Sequence, residues 1–197
     1  MRRPGLRPTK KLWIICEGKT EKLYFDKLRI DKRISRLEIK TIKSGHQNAD
    51  GIIQDAIGFI ARGKDFQKND LVACVFDRDA NTDLQFGRAK SLATKNKILI
   101  SFSNPCFEYW ILCHFGYFPS SYEKDTLIKK IQDKFADYIS CDPELYNKTK
   151  EKLNKAKIYA KMIKKKHVDD GKELIKRTAN PLSLVFELVE LIEKFKD

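Results

Sequence analysis

Between residues 11 and 102 the chain switches repeatedly between short apolar runs and stretches of helical period. Lys11–Cys16, Leu71–Phe76 and Ile98–Phe102 are nearly continuous apolar runs, and Leu37–Ile42 alternates apolar with charged residues. Between them, Thr20–Ile30 carries Leu23, Tyr24 and Leu28 at helical spacing. Ala49–Arg62 places Ile52, Ile53, Ala56, Ile57 and Ile60 on one side, and a helix is expected around Leu84–Thr94. Continuous apolar strands are the kind buried on both faces of a sheet. Strand–helix alternation of this sort is satisfied by a parallel sheet with right-handed crossovers. The expected fold class is therefore α/β, a Rossmann-like parallel sheet flanked by helices.

The remainder reads differently. Residues 1–10 form a basic arm in which Pro4, Gly5 and Pro8 oppose regular structure. Residues 103–197 read as a helical C-terminal subdomain, with helices over Pro105–Phe115, Tyr122–Tyr138 and Lys150–His167. A last helix is capped by Asn180, begins at Pro181, and has Leu182, Val185, Phe186, Val189 and Ile192 as its core face.

A formal charge of +13, from 40 basic and 27 acidic residues, favours polyanionic partners, nucleic acid first; a lysine-rich proteome is the plain alternative. Five cysteines (Cys16, Cys74, Cys106, Cys113, Cys141) show no paired spacing, and four lie within apolar runs, which suits a reducing cytoplasm. No run approaches the roughly 18 apolar residues of a membrane span.

Two apolar runs end in acids. Glu17 follows the first, in "LWIICEGKTEKLYF"; Asp77 and Asp79 follow the third, in "LVACVFDRDA". Ligands of open parallel sheets bind beyond the carboxyl ends of the strands. Residues two apart in extended chain point the same way, so Asp77 and Asp79 are expected to face one pocket. If the first and third strands are neighbours, three carboxylates converge, and at least one pKa rises unless a cation sits among them. Such hard oxygen ligands suit Mg²⁺ or Mn²⁺. Acids at strand tips also arise by chance, and Glu21 has an ordinary alternative as a first-turn acid favoured by the helix dipole.

The joint pattern, an apolar strand ending Glu-Gly and a later one ending Asp-x-Asp, resembles the Toprim fold. "CEGKTEKLYF", "VFDRDA", "SNPCFEYWILCHF" and "NPLSLVFELVELI", in that order, resemble the RloB-like family of abortive-infection proteins. The resemblance implies Mg²⁺-dependent phosphodiester chemistry on DNA or RNA, tRNA included, and an ATPase partner of the AAA type. It implies that Asp77 and Asp79 hold the metal while Glu17 ligates or handles a proton, with Glu21 belonging to the same motif.

Glu108, an acid in an otherwise apolar helix, is expensive to bury unless paired, which makes it a further candidate. Ser103 and Asn104 begin where the fourth strand ends and approach the same edge. His46 lies on that edge too, either as a phosphate contact or proton-transfer group or as part of an ordinary polar loop with Asn48 as a cap; His114 reads as structural. In Lys150–His167, Leu153, Ala156, Ala160 and Ile163 form one face. The lysines around it, Lys157, Lys161, Lys164 and Lys165 among them, form either a solvated surface or a backbone-contacting one.

Two rivals remain. "VFDRDA" also resembles the nucleophile motif of haloacid-dehalogenase-type phosphatases, although it ends the third strand and not the first, and the only Asp-Asp, Asp169-Asp170, follows a lysine-rich helix. The other is a non-catalytic subunit that binds nucleic acid or an ATPase.

Overall fold

A computed structural model describes residues 10–34, 37–79 and 81–195. The expected strands and helices of the first half are present, their ends shifted by no more than two residues: β1 (Lys10–Cys16), α1 (Lys19–Lys32), β2 (Leu37–Lys43), α2 (Ala49–Arg62), β3 (Leu71–Asp77), α3 (Asp83–Asn96) and β4 (Leu99–Asn104). The apolar runs account for this. Leu12, Ile14, Ile15 and Cys16 of β1 and Ala73–Phe76 of β3 are buried, and each large aliphatic side chain so buried contributes about 1.5–3 kcal/mol. α2 stops where Gly63 takes φ +61°, a left-handed conformation that costs glycine little. α3 starts in a capping box: Gln85 N–H donates to Thr82 Oγ1, and Thr82 N–H to Gln85 Oε1.

The sheet order is β2-β1-β3-β4-β5, parallel except for β5. The chain steps from β1 to β2 in one direction and from β2 through β3 to β4 in the other. Right-handed crossovers therefore put α1 on one face and the mutually packed α2 and α3 on the opposite face.

The second half departs from expectation in several places. α4 (Glu108–Cys113) is shorter than Pro105–Phe115 and buried along its whole length, as an all-round apolar helix should be. It is followed by α5 (Lys124–Lys134), an unforeseen α6 (Leu145–Thr149) and α7 (Leu153–Asp169), then β5 (Leu182–Ser183) and α8 (Val185–Glu193). Asn180 does not cap the last helix. Its side chain instead brackets Tyr122, accepting from its N–H at 3.1 Å and donating to its carbonyl at 2.7 Å. Leu182 and Ser183 then pair antiparallel with Asn104 and Ser103, so α8 starts only at Val185. Strands thus do not stop at residue 102; a division there falls inside β4. The expected basic arm lies outside the described residues except for Lys10, which opens β1. All five cysteines are free, and only Cys141 is not buried. No helix among the described residues is long and apolar enough to cross a membrane.

Candidate active site

β1 and β3 are neighbours, with Leu12–Cys16 in register against Leu71–Val75. The helices that follow them leave on opposite faces, which opens a crevice at their carboxyl ends. Glu17 and Asp77 meet there through the backbone. Glu17 N–H donates to Val75 O at 3.0 Å, and Asp77 N–H donates to Glu17 Oε2 at 2.9 Å. Both side chains are buried. Asn81, also buried, steadies this tip: its Nδ2 donates to Asp77 O at 3.2 Å, and its Oδ1 accepts from Ala49 N–H, at the start of α2, at 2.8 Å.

Glu21 lies in the first turn of α1 and is buried beside them. Gly18 makes this possible, because a β-carbon at that position would fall on the Glu21 carboxylate. Glu108, the first residue of α4, completes a buried set of four acids, and Tyr138 O–H donates to its Oε1 at 2.9 Å.

Asp79 differs from the expectation. The extended chain ends at Asp77, and Asp79 takes φ +29°. The two-residue alternation therefore does not carry through; Asp79 sits exposed on the rim with Lys124 Nζ at 3.4 Å. All five acids line one cleft of about 360 Å³, together with Lys19, Thr20, Gln47, Lys124 and Ser140.

Burial, reinforced by Asp79 and Glu21 and opposed by the Asp77 N–H, raises the Glu17 pKa to about 7. Burial likewise raises Glu21 to about 7, with Glu108 and Asp79 adding to it. Asp77 is pushed well above the usual carboxylate range by burial and then by Glu21, Glu108 and Glu17, and its Oδ1 has no hydrogen-bond partner. Lys124 is the compensating cation. Burial acts to lower its pKa, but the negative groups around it, Asp79 foremost, prevail and raise it. It stands 107 residues from Glu17, on a helix whose sequence shows only amphipathic spacing, so the need for a cation was visible but its identity was not.

Other candidates lie elsewhere. Ser103 faces Ser183 across the β4–β5 pair at 3.4 Å, and Asn104 donates to the carbonyls of Lys176 and Arg177. Both stitch the sheet to the segment before β5. His46 pairs with Asp55 at 2.9 Å, and Asn48 makes no side-chain cap bond. His114 is buried, its Nδ1–H directed at the carbonyls of Trp110 and Ile111, and burial lowers its pKa to about 4. Asp169 and Asp170, at the end of α7, are paired with Lys165 and Lys166, and neither lines the cleft that holds Asp77, so they do not supply the acidic partner the phosphatase reading needs. The buried face of α7 is as expected, but its lysines, Lys155 excepted, are paired. Lys157 meets Glu193 at 2.5 Å, Lys161 meets Glu190 at 2.8 Å, Lys164 meets Glu187, and Lys165 meets Asp169 at 2.6 Å.

The acids suit a hard divalent cation by donor type, and Asp77 Oδ1 is a buried oxygen without a hydrogen-bond partner. The set is not closed: among the described residues, no three histidine, cysteine or carboxylate side chains already form a group able to hold a metal ion.

The sequence model of the RloB-like protein family matches residues 12–192, and the chain belongs to that family. No curated protein and no solved structure matches it.

Proposed function

We propose that this RloB-like chain is a Mg²⁺- or Mn²⁺-dependent nuclease with a Toprim-type site, acting in the cytoplasm as a phage-defence effector alongside an AAA-type ATPase. The observation that carries the reading is the group of four buried acids at the β1/β3 crevice, one of them with an unsatisfied oxygen. Burying several carboxylates together costs stability unless a cation is part of their working state.

Asp77 and Asp79 are assigned to hold the ion, with Glu17 beside them. When bound, such an ion neutralises phosphate charge and lowers the pKa of water. The chain's own groups supply the remaining chemistry. Glu17 spends Oε2 on the Asp77 N–H, which leaves Oε1 to take a proton, and a pKa near 7 is suited to general-base work at neutral pH. Glu108 is oriented by Tyr138. Lys124 and Lys19, both lining the cleft, are placed to meet a phosphodiester and the oxyanion that leaves it. Five of the six α7 lysines already face an acid, so phosphate contact is assigned to the cleft cations.

Thermal unfolding with and without Mg²⁺ or Mn²⁺, for wild type and Asp77→Asn, is the test. At about 100 times the dissociation constant a ligand adds roughly 2.7 kcal/mol, a rise of roughly 5–10 °C for a protein of this size. That rise in wild type and its loss in the variant are expected, followed by metal-dependent cleavage of DNA or RNA that the variant lacks. Equal shifts in both proteins, or none in either, return the chain to the non-catalytic reading.

A further inference from the structure

The loop after β2 holds a histidine in place from several directions. Its anchor is Asp55, in the second turn of α2. Asp55 Oδ2 accepts from Ser44 Oγ–H at 2.5 Å, Gly45 N–H at 2.9 Å and His46 N–H at 3.3 Å, while Oδ1 lies 2.9 Å from His46 Nδ1. Burial works to raise the Asp55 pKa, but the bonds from Ser44, His46 and Gly45 prevail and lower it, so the carboxylate stays charged. An ionised carboxylate can only accept, which puts a proton on Nδ1 and turns Nε2 outward. Among the described residues Nε2 has no partner, and the side chain is 54% exposed. Gly51 makes room for the ring, because a β-carbon there would fall 2.8 Å from His46 Cβ.

The same loop is fastened to the strand tips that present the acids. Ser44 N–H donates at 2.8 Å to the carbonyl of Cys16, the residue before Glu17. Ala49 N–H donates to the Asn81 side chain that also holds the Asp77 carbonyl. Gln47, next to His46, lines the acid cleft. On the α2 side a second cavity, of about 210 Å³, is lined by Lys43, Ser44, Gly45, Asp55 and Arg62. Lys43 and Arg62 are exposed and make no ion pair among the described residues. Around the β3 tip, by contrast, Arg78 and Lys124 are engaged with Glu123 and Asp79.

We propose that His46, backed by Asp55, receives a phosphate of a nucleic-acid strand that runs from the acid cleft across the end of β2 to Lys43 and Arg62. A proton added to the imidazole goes to Nε2, and the imidazolium then stands between two anions, Asp55 and the phosphate. Lys43 and Arg62 meet the phosphates that follow. Adjacent strands lie about 4.8 Å apart, so the step from the Glu17 tip to the β2 tip is comparable with the spacing of successive phosphates. Contacts of this kind position a strand and do not read its bases. The inference rests on the nuclease reading for its ligand, and it adds the side on which the strand leaves the cleft.

Fluorescence anisotropy with a labelled single-stranded DNA, and with an RNA of the same sequence, tests it. Binding is measured in Ca²⁺ and again in chelator, at mildly acid pH where imidazole carries its proton. Lys43→Gln combined with Arg62→Gln should flatten the slope of log affinity against log salt by about 1.4, roughly 0.7 for each lost phosphate contact. His46→Gln keeps a hydrogen-bond donor but not the charge, and should weaken binding by about tenfold. Lys161→Gln, which removes a lysine already paired with Glu190, should change neither quantity. The replaced side chains are all exposed, so the variants are expected to fold. An unchanged slope in the double variant, undiminished binding by His46→Gln, or failure of the wild type to bind either strand overturns the proposal. A slope that falls in Lys161→Gln instead places the strand along α7 and overturns it too. Absence of a metal response in thermal unfolding, with these binding changes present, removes the nuclease and leaves the phosphate contacts standing.

Discussion

The carboxylate cleft and the α7–α8 seam use the same kinds of charge in opposite ways. Along the seam Lys157, Lys161 and Lys164 meet Glu193, Glu190 and Glu187, with Lys32 also on Glu193, all at least partly exposed. In the cleft, Glu17, Glu21, Asp77 and Glu108 are buried together, and Lys124 is the cation that answers them. Matched, solvated pairs contribute little to stability and leave little field. Unmatched buried charge destabilises the fold and is ready for a ligand. Buried acid is therefore concentrated in one crevice of this basic protein, whereas on its most lysine-rich helix every lysine but Lys155 is answered by an acid.

The comparison can be broken most severely through pH. Glu17 and Glu21 carry folded pKa values near 7 against an ordinary 4.5. Below about pH 4.5 both are protonated whether folded or unfolded and cost nothing. As pH rises towards 7 the unfolded chain releases protons that the folded chain retains, so stability falls. The loss approaches about 3 kcal/mol for one such group. Buried His114 and His167, with lowered pKa values, work the other way as pH rises, so the measurement is a difference between proteins. In chelator, Glu21→Gln should gain about 3 kcal/mol on wild type between pH 5 and 8 by denaturant unfolding. A constant difference would show that Glu21 is not held against ionisation.

Tyr138→Phe comes next. It strips a buried glutamate of its donor, and a loss of about 1–3 kcal/mol is expected in unfolding midpoints. An unchanged midpoint would mean that Glu108 is solvated after all. Lys124→Met sharpens the contrast without a large change in stability. Lys124 lowers both glutamate pKa values, so its removal should move the pH at which the Glu21→Gln difference develops upward. A downward move would contradict its role as counter-charge. Smallest of all, Lys161→Ala should cost less than about 1 kcal/mol and lose even that in high salt. A larger, salt-resistant cost would make the seam structural and erase the distinction.

The α/β alternation was legible because four buried strands need apolar runs and their crossovers need helical spacing. Glu17 and Asp77 were legible for the same reason, as the acids on which apolar runs end. Asp79 was misplaced because the extended geometry assumed for it stops two residues earlier. The neutral seam left a signal that went unread, since Glu187, Glu190 and Glu193 recur every three residues on the polar side of α8. β5 left none. Two residues cannot display a period, and their pairing depends on where the open edge of β4 lies.

That late strand has a consequence for synthesis. Ser183 follows its partner Ser103 by eighty residues, and at ribosomal speed the interval is roughly 4–16 s. During it the emerging chain already carries Glu17, Asp77 and four parallel strands, but β4 is bare along its whole outer side. In that interval a newborn chain is most prone to pair with its neighbours on a polysome. Chaperone dependence should therefore concentrate there, and ease once Leu182–Ser183 has docked.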